Sequence, residues 1–240
     1  MVREISREEK RINIFGLEGK SLYIKYIDFF ILIREENKRR RSDETRSDHA
    51  HKMLERAFYT PKTTDYRGIY DKETQVRGVD AVFTYGGHEY NCDEKAAVNY
   101  VAKNLQTFSL ELSFIDRANN KTAGWFLKDD SMTDSFIFVW FDKDTYEMAL
   151  VEKKRINEYL ELLGWNRDKL RRKAELIREG KDGKFGNIKK NGCKFSFSDY
   201  DWMPERPINV LVPRDKLIEM AVFTEKLPYE EKDKIIFGLS

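Results

Sequence analysis

Residues 78–116 read GVDAVFTYGGHEYNCDEKAAVNYVAKNLQTFSLELSFID, and three strand-like runs can be cut from them. Two of them, 79–85 and His88–Ala96, are rich in β-branched and aromatic residues and are separated by Gly86-Gly87, a pair suited to a two-residue hairpin turn. In the third, Thr107–Ile115, Phe108, Leu110, Leu112 and Phe114 alternate with Thr107, Ser109, Glu111 and Ser113, the period of a half-buried strand. Side chains alternate across a strand, so Asp93 and Lys95 share one face while Cys92 and Glu94 share the other. Asp80 opens the first run, so pairing of the first two runs brings its carboxylate beside that of Asp93, within reach of one hard cation. Mg²⁺ takes oxygen ligands, keeps several waters and is completed by substrate phosphate, which suits carboxylates at a strand end. A lysine two residues from a ligand can orient an attacking water or neutralise charge on a phosphate. The implied chemistry is phosphodiester hydrolysis. Beside two other carboxylates, Glu111 becomes a third ligand or a residue that orients water, and Gln106 is a candidate for hydrogen-bonding that water.

With Asp80, Asp93-x-Lys95 and Glu111 in this order, the sequence resembles the PD-(D/E)XK nucleases, the restriction-endonuclease-like superfamily. That family places an Asp on one strand, (D/E)-x-K on the next, and often a further Glu or Gln on the strand after. An upstream helical acid is also common there, and Glu55 in HAHKMLERAF matches it. The resemblance covers 48–142. Two positions differ from the usual pattern: Val79 stands where Pro is common, and the acid of the tripeptide is the rarer Asp. Acid-x-Lys also occurs elsewhere, as at Glu8-Lys10 and Glu152-Lys154, but only Asp93-Lys95 lies in an apolar strand that follows another strand carrying an Asp. The resemblance implies an α/β (α+β) fold: a mixed central sheet whose three-stranded meander, the three runs above, is flanked by helices and followed by a crossover into a buried strand, 135–140. It also implies Mg²⁺ or Mn²⁺ at Asp80, Asp93 and Glu111, Lys95 positioning the water, and in-line displacement of the 3′ oxygen of DNA in a restriction, phage or mobile-element, or repair setting. A homodimer is common among such enzymes.

The chain has 240 residues, 36% charged and 40% hydrophobic, with a mean hydropathy of -0.69. The most apolar run, 26–33, is short and contains Asp28, so no membrane span or secretory signal is expected and the expected location is cytoplasmic. Cys92 and Cys193 cannot build a disulfide framework or a zinc site. No phosphate-loop or G-x-S-x-G motif occurs, which argues against a nucleotide-driven motor and a serine hydrolase. Net charge is only +2, but 151–194 carries 14 Lys and Arg against 7 Asp and Glu, leaving the rest of the chain at -5. Lys153, Lys154, Arg167, Lys169, Arg171, Arg172, Lys173, Lys189 and Lys190 are therefore expected to hold a nucleic-acid backbone.

Three parts are read: an N-terminal extension, 1–47; a nuclease-like core, 48–150; and a basic helical C-terminal part, 151–240, packed on that core. In the extension, 22–34 fits a strand pair or a buried helix, and 38–41 is a basic run. A helix is expected from Ser47 or Asp48, with Ala50, Met53, Leu54, Ala57 and Phe58 on one side and Pro61 as its stop. Asp144 is expected to cap a long helix through Leu163, followed by a helix over 166–179, a Gly- and Lys-rich loop or hairpin and a strand at 207–212. The alternative function is a catalytically inactive nucleic-acid-binding or assembly protein on the same scaffold.

Overall fold

The computed structural model describes residues 42–116, 118–183, 186–198 and 205–239. Gly86 and Gly87 take φ values of 58° and 83°, the left-handed geometry of a tight hairpin turn. They fold β2 (Ala81–Tyr85) antiparallel onto β3 (His88–Ala96), with Ala81 opposite Cys92. A short β1 (Thr64–Gly68) pairs on the other side of β2, so a meander does form, but its strands are β1, β2 and β3. β6 (Ser135–Phe141) runs parallel to β3 and places Phe136 beside Asp93. β7 (Thr145–Glu152) and β11 (Phe223–Pro228) complete a mixed six-stranded sheet in the order β1-β2-β3-β6-β7-β11.

The expectation that residues 107–115 pair with β3 is overturned. They form β4 (Thr107–Ile115) in a second, antiparallel sheet with β5 (Lys121–Ala123), β8 (Gly186–Lys190), β9 (Cys193–Phe197) and β10 (Ile208–Pro213), ordered β5-β4-β10-β9-β8. Period-2 alternation reports that a strand has one buried face, not which strand it pairs with. Two features turn the chain away: a 3-10 turn at Val98–Tyr100 and the left-handed Ala102 and Asn104. β3's vacant edge is taken by β6, whose seven residues are all buried.

That apolar run is covered on both sides. Phe136, Phe138 and Trp140 enter the core between the two sheets, while Ile137, Val139 and Phe141 enter the core on the opposite face. Each such side chain contributes about 1.5–3 kcal/mol. The same two-sided burial explains a second correction. The helix expected from Asp144 to Leu163 is a strand followed by a shorter helix, α3 (Lys153–Leu162). Tyr146, Met148 and Leu150 point to one core and Ala149 and Val151 to the other, so the run Met148–Val151 shows no polar face that would reveal its period.

α1 spans 42–62 and closes the outer face of the first sheet, burying Ala50, Met53, Leu54, Phe58 and Tyr59. It begins before the expected cap at Ser47 or Asp48, because no Gly or Pro interrupts 42–60. Its π-turn, Glu55–Tyr59, has Thr60 N–H reaching Glu55 O immediately before Pro61. The other helices are α2 (Lys72–Val76), α4 (Arg167–Arg178), α5 (Arg214–Met220) and α6 (Glu231–Phe237). Residues 46–240 form one compact unit. Within it, 151–240 is not purely helical: it supplies β8–β11 as well as α3–α6 and so takes part in both sheets. The readings of 22–34 and 38–41 lie outside the described residues. Among the described residues, no helix is long and apolar enough to cross a membrane.

Candidate active site

Asp80 immediately precedes β2. Its N–H donates to Cys92 O at 2.8 Å, which holds it opposite Asp93, and its Oδ2 accepts the Glu94 N–H at 2.9 Å. Asp93 is only 4% exposed, and Lys95 Nζ donates to its Oδ1 at 2.5 Å. Burial pushes the Asp93 carboxyl up to about 7, the neighbouring Lys95 opposes the rise, and Asp80 adds to it. A carboxylate neighbour disfavours ionisation of a buried carboxyl group, and a bound cation relieves that cost. Lys95 is kept in place by the ring of Trp125, 4.7 Å below its Nζ.

The face of β3 that carries Asp93 and Lys95 looks toward the second sheet. Glu111 reaches this region from β4, where its carbonyl accepts the Phe126 N–H at 3.2 Å. Burial raises its pKa; Glu205 adds to the rise and Lys95 opposes it. The structure thus relates Glu111 to Lys95 and to the residue after Trp125. Gly124 makes this approach feasible, since a Cβ there would lie 2.4 Å from Glu111 O. Gly124→Ala is expected to cost about 1–3 kcal/mol by forcing β4 and Trp125 apart, read as a lower urea midpoint at unchanged m-value. From the other direction comes Lys153, two residues beyond Val151, which pairs with Phe136. Its Nζ donates to Ser131 Oγ at 3.2 Å. Burial lowers its pKa, while Asp93 and Asp134 oppose that shift. Thr133 Oγ1 donates to Gly78 O, fastening the segment before β6 to the residues before Asp80.

The opposite face of β3 looks toward α1, and an open cleft of 630 Å³ takes its lining from both sides of the strand, with Phe108 of β4 on the side of the second sheet. Asp80 and Lys95 line it, as do His51, Glu55, Tyr70 and Glu94. Glu94 Oε1 lies 2.9 Å from His51 Nδ1 and accepts the Tyr59 hydroxyl at 2.8 Å. Tyr66 donates to Glu55 Oε1 at 3.0 Å, and Glu55 Oε1 is 3.6 Å from His51 Nε2. The hydrogen bond to Glu94 raises the His51 pKa against the effect of burial. Asp80 and Lys95 therefore join the buried Asp93 to an open acidic cleft.

Other expected site residues fall elsewhere. Gln106 Nε2 is turned to Asn104 O and Oδ1, at 2.9 and 2.7 Å. Of the basic residues, Arg167 and Arg171 are occupied by Asp129 and by backbone carbonyls of 126–128. Lys173 is buried against Asp182. Lys169 donates to Gly164 O, Arg172 to Glu175, and Lys154 lies 3.8 Å from Glu158 with an exposed side chain. Lys189 and Lys190 are exposed on β8. Sequence reading did not place Glu94, Tyr59, Tyr66 or Trp125 at this site. The i,i+4 pair His51 and Glu55 on α1 was a visible signal, but its junction with Glu94 spans the first sheet and leaves no local trace.

Among the described residues, no group of three or more His, Cys, Asp or Glu converges in a cation-holding arrangement. The donors available for a hard cation are the carboxylates of Asp80 and Asp93, set opposite each other by the β2–β3 register, and oxygen donors of this kind fit such an ion chemically. No protein-family model, curated protein or solved structure matches the chain.

Proposed function

We propose that the protein is a metal-dependent deoxyribonuclease. The observation that carries this reading is the strand register that sets Asp80 opposite Asp93, with Lys95 Nζ 2.5 Å from Asp93 Oδ1. Asp80 and Asp93 would hold Mg²⁺ or Mn²⁺, which when bound polarises a phosphodiester and offsets its charge. Lys95 lies where it can position a water for in-line attack and neutralise charge on the phosphate. Glu111 adds a further acid from the second sheet near Lys95, and Lys153 adds a second cation near Asp93. The β1–β2–β3 meander, with β6 parallel to β3, is in keeping with a restriction-endonuclease-like core, although β4 and β5 occupy the connection between β3 and β6.

The alternative, an inactive DNA-binding protein, is favoured by the burial of Asp93 and by Val79 before Asp80. Incubation with linear, circular and branched DNA in Mg²⁺, Mn²⁺ or EDTA separates the two. Cutting that requires the cation and disappears in Asp80→Asn supports the nuclease. DNA binding without cutting, unaffected by cation or by Asp80→Asn, supports the binding protein.

A further inference from the structure

α4 sorts its basic residues by face. At about 100° per residue, Arg167 and Arg171 fall together, and both hold the 126–130 segment. Lys169 and Lys173 fall on the far side, separated from them by the buried Leu170, Ala174 and Ile177, and the exposed Arg172 stands next to Lys169. There α4, the turn after α3 and the β8–β9 hairpin enclose a cleft of 320 Å³ whose basic lining is completed by Lys190.

Two abutting turns shape this cleft. Gly164, Asn191 and Gly192 take φ values of 85°, 49° and 76°. A Cβ on Gly164 would lie 3.7 Å from Asn191 Nδ2, and one on Gly192 3.4 Å from Leu163 Cδ2. Trp165 is part of the lining. It is 6% exposed, packs edge-on against Phe195 with centroids 5.0 Å apart, and has Lys190 Nζ 6.0 Å from its ring centroid. Its Nε1–H meets no acceptor among the described residues. Asp182 is the sole acid of the lining, and it is engaged by the buried Lys173. Among the described residues, the remaining charge on Lys169, Arg172 and Lys190 meets a backbone carbonyl, an exposed i,i+3 pair and a ring face, all weak competitors for an anion.

We infer that this cleft takes a phosphodiester group of a DNA strand, at a position separate from the candidate active site. A compact oxyanion matches a cationic lining whose one acid is already neutralised. An extended polyanion fits better than a lone phosphate because Lys189 and Lys194 stand directly opposite each other on β8 and β9. Like charges in that position are unfavourable until an anion covers them. β8 is the edge strand of its sheet, so a backbone leaving the cleft can pass over it toward this pair. The inference rests on the reading of the protein as one that handles DNA, but not on hydrolysis.

The test is anisotropy of a short fluorescein-labelled duplex in EDTA, where no cation supports turnover. Wild type is compared with Arg172→Gln/Lys190→Gln, both exposed positions, after near-ultraviolet circular dichroism has shown an unchanged fold. The expected result is about 10-fold weaker binding, with the salt slope reduced by about 2. The Trp165 indole N–H resonance, assigned with Trp165→Phe, is expected to shift when the duplex is added to wild type and to stay in place in the double variant. Equal affinities with an unmoved indole resonance overturn the inference. So does an indole shift produced by inorganic phosphate but not by DNA, which identifies a free-anion site. Absence of cleavage with cleft-dependent binding defeats the nuclease reading alone.

Discussion

Lys95→Ala is expected to lower cation-dependent DNA cleavage by about 10²–10⁴-fold. The loss should fall on kcat more than on KM, because in the proposed mechanism Lys95 acts on the reacting phosphate while the substrate's remaining contacts lie elsewhere. The fold should persist: the Lys95 side chain is 22% exposed, and its removal forfeits one ion pair and the Trp125 contact. Lys95→Arg is not expected to rescue the rate. The planar guanidinium is longer and cannot occupy the narrow space between Asp93 and the Trp125 ring as a compact ammonium does. Single-turnover rates at saturating DNA measure the effect, and a Lys95→Ala rate equal to wild type would remove Lys95 from the chemistry.

The hairpin carrying this chemistry was legible from sequence because its signals are local. Gly86-Gly87 marks the turn, alternation assigns Asp93 and Lys95 to one face, and the position of Asp80 before β2 follows from the register. β4 was legible as a strand but not in its place, since an alternating face fits any sheet that offers a core. β7 was misread because both of its faces are buried, and an apolar run without polar punctuation carries no period. The basic residues show a further limit. Composition indicated a cationic segment, but only the structure separates Arg167 and Arg171, which anchor the 126–130 segment, from Lys190 and Arg172, which face outward. Charge counts the residues and contacts decide their roles, and a contact such as Arg171 to Asp129 joins positions far apart in sequence.

Asp93→Asn separates stability from activity. A rise of the Asp93 carboxyl from 3.8 to about 7 is worth at most about 4 kcal/mol. The sign follows from linkage. The folded protein holds the proton more tightly than the unfolded chain, so the contribution of the neutral carboxyl is fully present below about pH 4 and is lost as pH rises through about 7. Asparagine is neutral throughout, so its advantage should be absent at pH 4, grow between pH 4 and 7, and level off above. At pH 8 in EDTA the variant is expected to be about 2–4 kcal/mol more stable by urea denaturation, the lower end reflecting the partner that Lys95 loses. Mg²⁺ should reverse the order, since a cation held by Asp80 and Asp93 stabilises only the wild type, by an amount that grows with its concentration. Cleavage should fall as far as in Lys95→Ala. A variant less stable than wild type at pH 8 without cation would show that the ion pair with Lys95 outweighs the burial of the charge, and that the site needs no cation to hold Asp93 ionised. Greater stability together with lost cleavage would identify Asp93 as a group kept at a cost to the fold for the chemistry it performs.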